Sequence, residues 1–573
     1  MPARRPARRL ALRVRTALLV LGGAGAAAIA VQACYSAGAG SAPPPNSFYF
    51  PVGLAVSQGG AFGLGGQFLY AANSDFDLQW NGGTLQSYDL RQIRSDARAL
   101  IDGNLGIGGG AEGGAPSAGP TTPACVLTGP AIPLEETCAP PVDAARYILK
   151  DASGNAATAI IGAFATDLQI GLNGNRLFVP VRGDDTLTWA DLNPDGTFDC
   201  GKGSDGRCSA SHQAGSINDP GNTRALTLPG EPFAMAQTED QTALAITHQA
   251  DTKTSLLLEG APISTPPSMQ FVLDGLPLGG DGIAAVPHDP WAGYTRCEDV
   301  KDAPPCVRPA FLQSSRNVAE VDLIRYYDDD GSQLEGGVSG STLPRPFLAK
   351  EVAYGVATNS GGFDSRGLAI DKSPRTACRA RLQPLGLKTS HGDPGWIACG
   401  QLPARVFIAN RSPPSLIVGQ IGGPSRSGDG TYDPDLLTLT GNVPLSDGPS
   451  RVYVAPVVQK ASGGGAGALA VRVFILCFDT SVVYVYDPEA QAVENVIYVG
   501  PGPFAMAFDP FDPDDMAANA PPTADATGWP YRFAYVASFT DSFVQLLDLD
   551  ANSPATFEHV VYTLGQPTPP KGS

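Results

Sequence analysis

Pro232-Phe233-Ala234-Met235-Ala236 follows the turn Leu228-Pro229-Gly230-Glu231, and Pro503-Phe504-Ala505-Met506-Ala507 follows the turn Val499-Gly500-Pro501-Gly502. One five-residue phrase thus stands twice behind a Gly/Pro turn. Beyond a polar or Pro-rich gap, each copy is followed by two more short apolar runs. These are Ala243–Thr247 and Ser255–Leu258 after the first, and Phe533–Ala537 and Val544–Leu549 after the second. A recurring unit of this kind signals a repeat architecture, in which one small sheet cannot bury both faces alone and stacking on its neighbours does.

Looser copies run along the chain. The first unit holds Pro51–Val56, Phe68–Asn73 and Thr84–Leu90, and the second Ile161–Ala165, Arg176–Val181 and Thr186–Leu192. Unit four holds Gly282–Val286, Ala310–Gln313 and Val318–Leu323. Unit five holds Arg366–Ile370, Val406–Asn410 and Ser415–Val418. Unit six holds Pro449–Val454, Val471–Phe478 and Ser481–Asp487, and Val560–Leu564 completes the seventh. The runs are short, β-branched or aromatic, and bounded by Gly and Pro, which marks strands. The first run of each unit favours small residues, as strands crowding a common axis require. The expected fold is all-β: a single β-propeller over residues 48–566, seven blades of four-stranded antiparallel sheets, with long disulfide-stapled loop insertions. Unit four and the insertions blur the count, so six and eight blades stay open. No long stretch of period 3.6 beyond the N-terminal leader competes with this reading, and residues 567–573 form a tail.

Phe68–Asn73 with Ser87–Leu90, and Val406–Asn410, resemble the YVTN family of β-propeller repeats. That pattern is Pro-x-Gly-aliphatic-Ala, then Tyr/Phe-Val-x-Asn, then a strand ending in Ile-Asp. The resemblance implies a propeller, and some similar propellers are lactonases with a site at the mouth of the central channel. No residue here matches a catalytic position of such a family.

The N-terminus reads as an address. Arg4, Arg5, Arg8, Arg9, Arg13 and Arg15 precede an apolar segment from Ala17 to Ala30, too short to span a bilayer. Val31-Gln32-Ala33-Cys34 then resembles the lipobox of bacterial lipoprotein signal peptides. The resemblance implies a signal peptide at 1–33, a lipidated Cys34 and a flexible tether over 34–47. It places the protein in the bacterial cell envelope, exported and lipid-anchored. Tyr35, standing where Asp often marks inner-membrane retention, favours the outer membrane. An ordinary secretory signal with Cys34 as a spare thiol is the alternative, and Arg8-Arg9-Leu10-Ala11-Leu12 also resembles a twin-arginine signal.

The chain has 573 residues and a formal charge of −18 although its leader is basic. An acidic surface repels phosphate backbones and argues against nucleic acid as a partner. Ten cysteines in an exported chain suggest disulfides. Eight of them form neighbouring couples in Gly/Pro/Asp-rich segments: Cys125 and Cys138, Cys200 and Cys208, Cys297 and Cys306, Cys378 and Cys399. Local pairing is expected, and Cys477, inside an apolar run, reads as a buried free thiol.

Asp191, Asn193, Asp195 and Asp199, with Gly196 in the turn, resemble the start of a calcium loop, whose oxygens at alternate positions converge on a hard cation. Lys202 stands where the closing Glu belongs, and an Asp-Gly turn joining two strands gives the same letters without Ca²⁺. Asp328-Asp329-Asp330-Gly331 and Asp512-Pro513-Asp514-Asp515 read as solvated acidic turns. The five histidines make no zinc motif, and neither a Gly-x-Ser-x-Gly elbow nor a P-loop is present. No catalytic residue is assigned. The expected role is a binding scaffold for a protein or glycan partner. The alternatives are a lactonase-like enzyme with a site at the channel mouth, and a purely structural envelope or adhesion protein.

Overall fold

The computed structural model describes residues 40–58, 65–101, 141–219, 221–222, 224–299, 306–328, 346–382, 392–425, 431–460, 469–510 and 532–566. Cys34, Cys125, Cys138, the 108–120 stretch, most of the two Asp-rich turns and the tail lie outside them.

Seven antiparallel sheets follow one another along the chain, each built from consecutive strands in the spatial order 1-2-3-4. Their innermost strands are Pro51–Val56, Gln169–Gly171, Pro232–Gln237, Gly280–Ala285, Phe363–Asp371, Pro449–Val458 and Pro503–Phe508. The molecule is a seven-bladed β-propeller. Blade 2 differs from the expected unit: its inner strand is Gln169–Gly171, and Ile161–Ala165 is the link leading to it, tied in through a bridge from Ala165 to Val181. A fifth strand, Gln213–Ala214, pairs with Thr186–Leu192 of that blade.

The core is seven wedges, one between each pair of neighbouring blades. Strand periodicity explains how one strand feeds two of them. In Ala243–His248, Leu244 and Ile246 pack toward blade 2, whereas Ala243 and Ala245 pack toward blade 4. In Leu469–Cys477, Phe474 and Leu476 face blade 7, and Val473 and Ile475 face blade 5. Both faces being buried, the strands read as continuous apolar runs rather than alternating ones.

Among the described residues no strand is exchanged to close the ring. Blade 1 meets blade 7 through a wedge that joins Leu54, Leu69 and Tyr88 to Tyr535, Val544 and Leu564. The link between strands 3 and 4 of blade 1 reinforces it. Its helix, Leu90–Ile101, buries Leu90, Ile93, Arg94 and Ala97, one helical face. Arg94 reaches Asp509 of blade 7 at 2.9 Å. Farther along, the Val142 N–H donates to the Thr563 carbonyl, the Gly565 N–H donates to the Val142 carbonyl, and the Tyr147 and Tyr562 hydroxyls meet at 2.5 Å.

Strand direction alternates within a blade, so the links 1–2 and 3–4 open on one face and the links 2–3 and blade-to-blade on the other. The helix Leu90–Ile101, the helices Ser373–Leu382 and Pro394–Gly400 of blade 5, and the 286–309 link of blade 4 all decorate the first face. The second face carries mostly short turns. Its exceptions are the 74–83 loop of blade 1, the link from blade 2 to blade 3, which is stapled by Cys200–Cys208, and the one-turn helix Ala357–Ser360 between blades 4 and 5.

Candidate functional site in the axial cavity

Each inner strand begins in the same way. Near each strand start one residue pairs with strand 2 just before the axis: Pro51, Ala165, Pro232, Gly280, Ser365, Pro449 or Pro503, with Phe363 already paired to Ser412 in blade 5. In all seven blades the residue before it is left-handed: Phe50, Phe164, Glu231, Gly279, Asp364, Gly448 and Gly502. In blades 1 and 3–7 the pairing register then slips, so the strand bulges as it passes the axis. Crowding is severe there: a Cβ on Gly53 would collide with Leu168 of blade 2, and one on Gly367 with the Arg451 backbone of blade 6.

Three residues beyond each of these paired residues lies one apolar side chain of a ring: Leu54, Leu168, Met235, Ile283, Leu368, Val452 and Met506, all buried. They line an axial cavity of about 220 Å³ together with three charged residues, Asp167, Asp281 and Arg451. Arg451 of blade 6 crosses the axis. Its Nη2 donates to the Thr166 carbonyl of blade 2 at 3.1 Å, and its Nη1 lies 3.7 Å from the Asp167 carboxylate. Its guanidinium sits 5.3 Å from the ring centres of both Phe233 of blade 3 and Phe504 of blade 7. Asp281 accepts from Gln249 at 3.0 Å and has Arg316 3.8 Å away. Burial pushes both carboxyls above their usual range; Arg451 draws Asp167 partway back, and Arg366 followed by Arg451 does so for Asp281. The cavity therefore holds two acids and one fixed cation beside a ring of apolar side chains. Among the described lining residues there is no His, Ser or Cys.

Toward the smooth face the mouth is aromatic. Phe539 packs against Phe50 at 4.9 Å, Phe76 at 5.3 Å, Phe504 at 5.6 Å and Phe478 at 6.0 Å. On the decorated face, the insertions of blades 4 and 5 interlock. Each is stapled, by Cys297–Cys306 and Cys378–Cys399 respectively. Trp291 meets Trp396 at 5.2 Å, Arg379 donates to both oxygens of Asp289 at 2.8 Å, and Gln401 donates to the Ala292 carbonyl at 2.9 Å. Beneath them His288 bonds Asp435 at 2.7 Å, and Arg325 bonds the other oxygen at the same distance. Burial works against the Asp435 charge, but His288 and Arg325 outweigh it and hold the carboxyl down at about 2.

Three of the four expected cysteine couples are disulfides, and Cys477 is free and buried. Asp191, Asn193, Asp195 and Asp199 lie on the hairpin joining strands 3 and 4 of blade 2. Asp191 accepts from Arg176 at 2.6 Å, Asn193 donates to Thr197, Asp195 accepts from the Thr197 N–H and hydroxyl, and Asp199 accepts from the Gly201 N–H. Among the described residues no group of three or more His, Cys, Asp or Glu is placed to hold a metal ion. The axial trio was not singled out in the sequence. Its signal is a charge inside an otherwise small or apolar inner run, as in Gly280-Asp281-Gly282 and Ser450-Arg451-Val452.

No family model and no curated protein matches the sequence. Among solved structures, hydrazine synthase of Kuenenia stuttgartiensis aligns at 8% identity and a TM-score of 0.42, over 90% of this chain and 99% of that one. A periplasmic gluconolactonase of Pseudomonas aeruginosa aligns at 13% and 0.38, over 74% and 92%. A putative 6-phosphogluconolactonase of Bacteroides uniformis aligns at 12% and 0.36, over 81% and 88%. At such values no activity transfers, and the fold rests on the strand pairing itself.

Proposed function

We propose that this chain is an exported, lipid-anchored propeller that binds a protein or glycan partner through its decorated face. The observation that carries the reading is the interlocked lobe of blades 4 and 5. Two disulfides, the Trp291–Trp396 contact and the Arg379–Asp289 pair hold the two insertions as one body. A surface fixed before binding loses less conformational entropy on binding, which is what such stapling contributes to recognition. The Arg-rich leader ending in Cys34 supports the anchor and the envelope address, with the outer membrane favoured. The Phe68–Asn73 and Val406–Asn410 strands support a YVTN-type origin of the repeats.

The test couples location to binding. Cys34→Ser should move the protein from the membrane to the soluble fraction. Cross-linking on intact cells should capture a defined partner, and Leu402→Asp with Thr295→Arg, both exposed on the lobe, should cut its yield about tenfold, the loss expected when a central contact worth ~1.4 kcal/mol is removed. Unchanged capture by that folded variant would refute the lobe as the binding surface.

The axial trio favours a second reading, a small-molecule enzyme. Asp167 and Asp281 are carboxyls in one cavity, each with raised affinity for protons, and Arg451 beside them offers a cation for an oxyanion. Lactone hydrolysis abolished by Asp281→Asn, with the lobe variant fully active, would decide for it.

A further inference from the structure

We infer that the smooth face of the propeller, led by Phe76 and Leu78, docks on the lipid surface to which Cys34 is anchored, so that the decorated face points away from the membrane. This rests on the lipid anchor proposed above.

Four observations converge on one loop. Phe76 is 51% exposed and Leu78 36%, although both sit in a short stretch with the buried Ser74 and Asp75. They are held out by left-handed backbone at Asp75 and Leu78 and by a bond from the Trp80 N–H to Asp75 at 3.1 Å. A loop fixed in this way presents its apolar side chains instead of folding them in. Next, the described N-terminal segment is seated on the same loop: the Asn81 N–H donates to the Ser41 carbonyl at 3.0 Å, and Gly40 lies against Asn81. Cys34 is six residues before Gly40, so covalent geometry limits it to about 20 Å from that point. The described chain therefore begins beside the exposed Phe and Leu, on the face where it leads into blade 1, with Cys34 within that reach.

Third, Phe76 continues an aromatic surface. It contacts Phe539 and Phe164, and Phe539 reaches Phe504 and Phe478 around the channel mouth. Fourth, the two acids of the loop itself are not bare. Asp77 accepts from the Tyr49 hydroxyl and the Gln79 N–H, and Asp75 is fully buried. Two apolar side chains give little affinity alone. Tethered within reach of the bilayer they act at high effective concentration, as the second of two membrane signals.

The experiment supplies the anchor chemically, so it does not depend on what the cell attaches. The chain from Cys34 onward is coupled through that thiol to maleimide lipid in phosphatidylcholine vesicles, with or without brominated acyl chains. The Trp80 emission, taken as the difference from Trp80→Phe, should fall roughly twofold with brominated lipid, because docking would set the loop at the acyl boundary. In Phe76→Ser with Leu78→Ser the fall should vanish while circular dichroism and Tm stay unchanged. Equal quenching in that variant, or none in the parent, overturns the docking. So does an uncoupled chain that sediments as a dimer broken by the same variant, since the face would then belong to a second copy. The mass of the N-terminal peptide from cells reads lipidation separately, so loss of the anchor and loss of the docking surface are told apart.

Discussion

Arg451 shows what one side chain does when a ring of sheets leaves a space at its centre. Six of the seven blades put Gly, Ala or Asp at the level where blade 6 puts this arginine. The guanidinium reaches the opposite blade and lies between two phenylalanines. Removing it leaves the mostly enclosed Asp167 without its cation. Arg451→Met should therefore destabilise the fold by ~3 kcal/mol, and adding Asp167→Asn should recover a large part of that. Urea unfolding of the two single variants and the double variant measures it; strict additivity would show that the pair is not coupled.

Glu259 gives a second test at this scale. It is 1% exposed, one oxygen accepts from the Leu172 N–H at 2.7 Å, and burial pushes its carboxyl up to about 8. The native state then keeps a proton that the unfolded chain releases above about 4.5. Stability from this group is present in full below that value and is lost as pH rises to about 8, by ~5 kcal/mol at most. Glu259→Gln should match the wild type at pH 4 and exceed it at pH 9. Parallel Tm-against-pH curves would show that the carboxyl is ionised in the native protein throughout.

At the scale of elements, the inner three strands of most blades were legible, because both faces of each sheet are buried and each run is short, apolar and bounded by turns. The inner strand of blade 2 was misplaced because its apolar letters, Ile161–Ala165, belong to the link between blades. Left-handed Phe50, Phe164, Glu231 and Asp364 were illegible, because nothing in such residue types announces a conformation that glycine usually takes. The helix Leu90–Ile101 was hidden as well: its buried face includes Arg94, so the apolar period is broken by the residue that matters most. That arginine sits in a network in which Asp509 also accepts from the Tyr535 hydroxyl and from the N–H groups of Arg532 and Phe533. Arg94→Met should cost ~3–5 kcal/mol, since it leaves a buried carboxylate short of its cation. The loss should coincide with faster hydrogen exchange at the blade 1–blade 7 wedge before the other wedges. Uniform acceleration around the ring would mean that the helix does not act as a clasp.

At the scale of the whole molecule, the axial charges went unread because they come together only when strands hundreds of residues apart close a circle. The same closure makes the next expectation possible. Each blade owns all four of its strands, so the order in which blades are covalently joined should matter less than the wedges between them. Phe48 lies against Gly565, which brings the two ends of the propeller together. A short Gly/Ser linker from Gln566 to Phe48, with new ends opened between the exposed Asp274 and Gly275, preserves every wedge and the clasp. This permutant should fold with a Tm within a few degrees of the parent, a change of about 1 kcal/mol for a domain of this size. Removing blade 7 from the same permutant should prevent folding altogether, because it exposes two wedges at once. A permutant that fails to fold while the linear chain folds would place ring closure in the order of synthesis, with blades 1 and 7 meeting only after the other five have formed.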